Sequence, residues 1–361
     1  MNKLKSYAAS RRGRDTLLSF GIVIAAFIIV QALIAGGMIS SQIKGLLVPI
    51  CAYVVMAISL NLTVGILGEL SLGHAGFMSV GAFAGIVTTT CLADAIPLAP
   101  LRLAVAMIVG AVFAALAGVI VGVPVLRLKG DYLAIVTLAF GEIIKNLINI
   151  LYIGFDEKGL HVATSAASLK LEAGGKQILK GALGISGTGA LYKDVKHYFF
   201  PIGIILVLLT LFIVQNLVNS RSGRAIMATR DNRIAAESIG INITKYKLMA
   251  FTISAAMAGA AGVLYAHNIS TLTANTNNFG YNMSITILVF VVLGGIGNIR
   301  GSIIAAVILT LLPELLRGMK DYRMLIYAIV LIIMMLFNWA PKAIEWREKH
   351  LSFKKNKKEA A

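Results

Sequence analysis

Residues 60–83 read LNLTVGILGELSLGHAGFMSVGAF, and the centre of that stretch, GELSLGHAGF (68–77), decides how the chain folds. Apolar runs flank it, at 45–62 and 75–92. Between them stand Glu69, Ser71, His74 and three glycines, where a smooth hydrophobic helix would be simpler. In lipid, backbone that leaves the helix is tolerated only when buried in protein or lining a wet cavity. The segment therefore predicts a broken or re-entrant element within a membrane-spanning bundle. Its glycines let the backbone break, and Glu69, Ser71 and His74 give the break polar groups to present to a pathway or gate. Close helix packing, with His74 as a satisfied packing histidine, is the plainer alternative.

The rest of the chain fits a membrane protein. Of 361 residues, 58% are hydrophobic and only 14% charged, against roughly 25% charged in soluble globular domains. Apolar residues gather into long runs rather than into periods of 2 or 3.6. Ten runs are long enough to consider: 17–35, 45–62, 75–92, 101–123, 132–151, 200–218, 248–266, 283–296, 302–316 and 324–337. The last three are shorter than the roughly 20 residues of a straight span, so the expected fold is an all-α polytopic bundle of 8–10 transmembrane helices with broken or re-entrant segments. The first run follows basic residues as a signal peptide would, but its length fits a retained span.

The net charge of +17 does not point to nucleic acid, because the basic residues sit at the ends of the apolar runs. They mark the cytoplasmic side by the positive-inside rule. An arm at 1–16 carries Lys3, Lys5, Arg11, Arg12 and Arg14, and a tail at 341–361 carries Lys342, Arg347 and five further lysines. Arg127 and Lys129, and the 219–247 loop, fall on the same side when the membrane body at 17–340 crosses ten times. Both termini are then cytoplasmic and 152–198 is extracytoplasmic. That outer loop mixes lysines with Asp156, Glu157, Glu172 and Asp194; capping the outer mouth, docking a soluble partner and simple solvation all remain open for it. Cys51 and Cys91 both lie in apolar runs, and the five histidines are scattered, so neither a disulfide framework nor a metal site is expected.

The 219–247 loop, NSRSGRAIMATRDNRIAAESIGINITKYK, has a helical character unlike a disordered basic tail. Ala225, Ala228, Ala235 and Ala236 are small, Gly240 is placed to stop a helix, and Asp231 precedes NRIAAES as a cap. Small residues let a partner approach the backbone while arginines charge the rim, which predicts a docking helix for a cytosolic partner. An amphipathic segment on anionic lipid is the alternative.

Within the spans, Glu142, Lys145, Asn146 and Asn149 follow at intervals that place them on one helical face, with Lys145 able to neutralise Glu142. Such groups face a bundle interior or a wet cavity, so the stripe either lines the translocation path or knits this helix to a neighbour. Asn61 and Asn268 fit packing hydrogen bonds, with Asn61 also a candidate to line the same path. A second glycine-rich break, LGGIGNIRGS (293–302), places Gly294, Gly295, Gly297 and Asn298 within an apolar run. It predicts a discontinuous helix whose freed N–H and C=O groups need a polar lumen, with small-residue packing as the plain alternative.

Four blocks then carry a family resemblance: residues 60–83 above, VLRLKGDYLAIVTLAFGEIIKN (125–146), GRAIMATRDNRIAAESIGI (223–241) and VVLGGIGNIRGS (291–302). In this order they resemble the branched-chain amino-acid ABC permeases of the LivM type, over about residues 45–337. Ala235-Ala236, three residues, then Gly240 looks like the coupling motif of ABC importers, with Ile234 where that motif has Glu and without its downstream Leu-Pro. The resemblance implies a type II ABC importer-like permease in the cytoplasmic membrane of a prokaryote. It implies pairing with a LivH-like permease, two cytosolic ATPase subunits on which ATP and Mg act, and an extracytoplasmic amino-acid-binding protein. No cofactor is expected on this chain. Residues Gly223 to Gly240, including Arg224, would form the coupling helix. The outer loop departs from the family pattern, reading IGFDEKGLHV where a TGGPNG-like stretch is expected.

The chain has no HExxH, GxSxG or Walker-type sequence, so neither enzymatic chemistry nor ATP hydrolysis of its own is expected. Two transport alternatives remain: an ABC permease for urea, amides or another small solute, and an ion-coupled secondary transporter.

Overall fold

The computed structural model describes residues 11–339 except 38–39, 94, 129, 157–158, 170, 172–174 and 187–197. The basic tail at 341–361, most of the 1–16 arm, and Lys129, Glu157, Glu172 and Asp194 therefore lie outside the described residues.

Every one of the ten apolar runs is helical. The long elements are α1 (Arg11–Ala35), α2 (Ser41–Asn61), α3 (His74–Cys91), α4 (Ala99–Val125), α5 (Asp131–Ile150), α6 (Phe199–Asn219), α9 (Ile243–Asn268), α10 (Tyr281–Gly294), α11 (Ile299–Leu315) and α12 (Arg323–Trp339). Two short helices, α7 (Arg221–Asp231) and α8 (Arg233–Ser238), occupy the central loop. Among the described residues seven helices are long and apolar enough to cross a bilayer, while α10 and the 325–336 part of α12 are shorter.

The bundle has a central helix and a peripheral one. From Leu47 onward α2 is buried on all sides, packed by α6, α9, α10 and α11. In contrast, Leu17, Leu18, Ile24, Ile28 and Ile29 of α1 are exposed apolar residues. A helix buried all round belongs in a protein core, whereas a span with outward Leu and Ile suits lipid.

The tightest block is α3, α4 and α9, where small residues bring backbones together. A Cβ on Gly81 of α3 would lie 2.2 Å from the carbonyl oxygen of Gly259 on α9. One on Gly262 would lie 2.0 Å from that of Met78. No side chain larger than hydrogen fits at either contact.

The 152–198 loop is not plain coil where it is described. It forms a three-stranded antiparallel sheet in the order β2-β1-β3, from β1 (Tyr152–Asp156), β2 (Gly159–Ala163) and β3 (Lys176–Lys180). A second ladder pairs β4 (Ile185–Ser186) with β5 (Thr271–Leu272). His161 reaches Asp156 across the β1–β2 ladder at 3.0 Å. These strands mark one end of the bundle, the strand end; α7 and α8 mark the other, the loop end.

Candidate functional site: two helix breaks and the loop beneath them

After Asn61, α2 widens into a π-helical turn, Leu62–Leu67, and stops at Gly68, whose φ of +80° ends it in the left-handed region. π-turns within helices recur at functional positions. The chain then folds back as an extended segment and restarts at His74, beside Ser59 of α2. The re-entry is held closely: the Leu72 amide donates to Thr137 Oγ1 at 3.0 Å, and the Ala75 amide to Ser284 Oγ of α10 at 3.1 Å. The break predicted at 68–77 is therefore real, and it is sealed by α5 and α10.

A buried polar chain runs through it. Ser59 Oγ lies 2.7 Å from His74 Nε2. Because that hydroxyl donates its proton to the Met56 carbonyl at 2.9 Å, the imidazole N–H is the donor to Ser59. Thr63 Oγ1 donates to Ser254 Oγ at 2.9 Å, and Ser254 Oγ donates to the Ser59 carbonyl at 2.5 Å. A neighbouring hydroxyl, Ser71 Oγ, is fully buried and has no hydrogen-bond partner among the described residues. Such a group is uncommon in a settled interior.

The second break meets the first. Between α10 and α11 the chain turns at Gly295 and Gly297, both at positive φ, and Asn298 caps α11 by accepting from the Gly301 amide at 3.3 Å. Gly294 and Gly301 cross at backbone contact, since a Cβ on Gly301 would lie 1.7 Å from the Gly294 carbonyl oxygen. Asn61 bridges the two breaks: Oδ1 accepts from the Gly297 amide at 2.9 Å, and Nδ2 donates to Ser302 Oγ at 2.8 Å. Gly65 sits directly against this bridge. Asn61 is fully buried, so its amide is committed on both sides.

The loop end closes on the first break from below. Residues 219–247 form two helices, not one run from 223 to 240. Asn232, with extended backbone, separates α7 from α8 and caps α8 by accepting from the Ala235 amide at 3.0 Å. Asp231 was expected to be that cap, and instead it ends α7. Both types cap well; only the backbone angles at 232 decide. Gly240 stops α8 as expected, at φ +82°, with the Ile241 amide donating to the Ala236 carbonyl and the Gly240 amide to Glu237. This is the two-bond Schellman ending. Gly223 is buried where a Cβ would strike the Leu217 and Val218 carbonyls. Arg224, Asp231 and Ala235 face outward, Ala225 and Ala228 are half-buried, and Ala236 is buried. Ile234 and Ile239 flank them as strongly exposed apolar residues.

Three contacts that no local pattern announces tie this loop to the break. Arg230 Nη1 donates to the Gly65 carbonyl at 3.0 Å, its stem lies against Gly68, and its other nitrogens hold Asp231. Lys247, at the start of α9, pairs with Glu69. Both members of that pair are nearly buried. A cation at the C-terminal end of a helix satisfies carbonyls left without amide partners and opposes the negative end of the dipole. Between these groups and Asp131 lies a polar recess of about 290 Å³. Glu69 is thus placed in the contact with the loop.

The fifth-span stripe does different work. Lys145 pairs with Glu142 at i,i+3 as expected. Glu142 Oε1 also accepts from the Tyr281 amide at 2.9 Å, Lys145 Nζ lies 3.4 Å from Thr276 Oγ1, and Asn149 Nδ2 donates to the Ala274 carbonyl at 2.9 Å. The stripe knits α5 to the segment that leads into α10. Asn146 is exposed beside it. Asn268 donates to the Gly45 carbonyl at 3.3 Å, a packing bond as read.

These features define a polytopic helical membrane protein in which two broken helices interlock and a surface loop is fastened to one of them. Comparison with known proteins gives the family. Residues 42–337 match the family described as "Branched-chain amino acid transport system / permease component", and the chain belongs to it. It is 35% identical over 307 residues to the high-affinity branched-chain amino acid transport system permease protein LivM of Salmonella typhimurium, covering 81% of this chain and 67% of that protein. LivM of Escherichia coli is 34% identical over the same shares. The autoinducer 2 import system permease protein LsrC of Yersinia pseudotuberculosis is 30% identical over 162 residues, 43% of this chain and 46% of that protein. No solved structure matches. The chain is accordingly the permease subunit of an ABC importer.

Proposed function

We propose that this chain passes branched-chain amino acids (leucine, isoleucine and valine) across the cytoplasmic membrane of a prokaryote, as one of a pair of permease subunits. The second subunit is LivH-like, two cytosolic ATPases bind and hydrolyse ATP with Mg, and an extracytoplasmic binding protein delivers the solute. The loop end faces the cytosol, both termini lie on that side, and the 152–198 strands face outward. The ATPases dock on α7 and α8, where Arg224, Asp231, Ala235, Ile234 and Ile239 are accessible. Movement of α7 pulls on Gly65 through Arg230, and the displacement reaches the 294–298 turn through Asn61. Ser71, His74, Gly294, Gly295, Gly297 and Asn298 then form the gate and pathway region of this chain.

The observation that carries this reading is the Arg230–Gly65 hydrogen bond, which joins a solvent-facing helix to a break in the central span. The test is uptake by the reconstituted complex with radiolabelled leucine. Uptake is expected to require ATP and both ATPases, to be suppressed by excess valine or isoleucine, and to be indifferent to urea. Uptake driven by an ion gradient with this chain alone, or competition by urea and not by valine, would overturn it.

A further inference from the structure

The peripheral position of α1 leaves a cleft. An apolar groove of about 260 Å³ runs between α1, α2, α6 and α11, with Val23, Ala26, Val54, Val207 and Val307 among its walls and no polar surface within it. α1 lies across this groove without filling it. It packs on α6, with Phe27 and Phe200 rings 5.6 Å apart, and meets the base of α11 where Arg300 Nε donates to Ser19 Oγ at 3.2 Å.

At the strand end the groove opens into a second recess of about 570 Å³, which shares Leu47 and Phe200 with it. Here the lining turns polar: Gln31, Ser41, Lys44 and Asn268. Lys44 is exposed and makes no ion pair among the described residues. Both the polarity and the length of the combined site are informative. Val54 lies about 15 Å from Lys44 along α2, at 1.5 Å per residue. That equals half of a hydrocarbon core of about 30 Å, the depth of one leaflet. The apolar part also exceeds the roughly 150 Å³ at which a dry cavity already takes up benzene.

We propose that this continuous groove and recess bind one anionic phospholipid of the strand-end leaflet. An acyl chain occupies the groove under α1, and the phosphate sits by Lys44, with Ser41, Gln31 and Asn268 as hydrogen-bond partners. The lipid completes the packing between α1 and the bundle. The ammonium of Lys44 attracts an anionic phosphate by direct charge at short range, and the apolar groove supplies the retention that a lone surface lysine lacks.

The experiment is native mass spectrometry of the purified transporter complex, delipidated and then titrated with phosphatidylglycerol or phosphatidylcholine. Wild type is expected to retain one phosphatidylglycerol on this chain, at least five-fold in preference to phosphatidylcholine. Lys44→Gln should abolish the preference. Ala26→Phe, which fills the groove from an exposed position, should lower retention of both lipids at least five-fold, and inorganic phosphate should not displace the lipid. Unchanged preference in Lys44→Gln together with unchanged retention in Ala26→Phe overturns the proposal. So does a photo-crosslinker at residue 26 that captures the second permease subunit instead of lipid.

Discussion

Two helix ends in this bundle are capped by charges from other elements, and the charges have opposite signs. At the loop end, Arg230 caps the carbonyl end of the broken α2 through Gly65. At the strand end, Glu142 caps the amide end of α10 through Tyr281. Each is the favourable choice for its end of the dipole. The difference lies in what carries the cap. Glu142 stands on a span and is neutralised by Lys145 on the same helix, so its cap moves only with α5. Arg230 stands on a short surface helix with an accessible face, and in the proposed coupling its cap is the point at which an outside force would enter the bundle. On that proposal the same electrostatic device is a staple at one end and a lever at the other.

The most severe way to break this pairing is Gly65→Ala. The new Cβ would fall 2.0 Å from Asn61 Oδ1 and 2.4 Å from the Gly297 amide nitrogen, so the bridge between the two breaks must open. Uptake is expected to fall below detection while the complex still assembles, measured by transport and by co-purification of subunits. Next comes the Lys247–Glu69 pair. Removing one member of a buried pair costs about 3–5 kcal/mol, so Glu69→Lys and Lys247→Glu alone should each destabilise the protein and stop transport. The double exchange should recover at least part of both, in thermal melts and uptake. The smallest effects sharpen the contrast itself. A buried hydrogen bond to a charged group contributes about 1.5–3 kcal/mol, and solvent at half-exposed Arg230 reduces that figure. Arg230→Gln is therefore expected to lower uptake about ten-fold, some 1.4 kcal/mol, with ATP hydrolysis continuing. Glu142→Gln should lower melting temperature and leave the ratio of uptake to hydrolysis unchanged. If both variants shift that ratio equally, the two caps do not differ in kind.

Much of the architecture was legible because hydrocarbon imposes a simple rule: apolar runs become helices, and all ten did. Helix starts were legible less well. The run at 248–266 begins five residues earlier as α9, because Lys245 and Lys247 lower the hydropathy and the latter is buried only through its pairing with Glu69. Both glycine-rich breaks were visible from composition. Their contact through Asn61 was not, since residues 61 and 302 lie far apart in the chain and hydrogen-bonding amides carry no local signal of their partners. For the same reason Arg230 passed as one basic residue among several, and Ser59, Thr63 and Ser254 as ordinary span residues. The strands of the 152–198 loop were hidden by their brevity and mixed composition. Of the α5 stripe, Glu142, Lys145 and Asn149 turn to one neighbour while Asn146 is exposed beside them; sequence left open whether the stripe lines a path or joins a neighbour, and its bonds run to 274–281.

The glycine contacts among α3, α4 and α9 have a mechanical consequence. Where Gly81 meets Gly259, Gly262 meets Met78, and Gly259 in turn meets Gly110 of α4 at backbone distance, three helices interlock with no compliant side chain at those contacts. Close-packed interiors resist small deformation, and an interface with no side-chain cushion has less slack still. The three helices therefore behave as one stiff strut, against which α7 would push in the proposed coupling. Its travel has to be absorbed at joints outside the strut, and the π-turn of α2 and the 294–298 turn are where the backbone is already hinged.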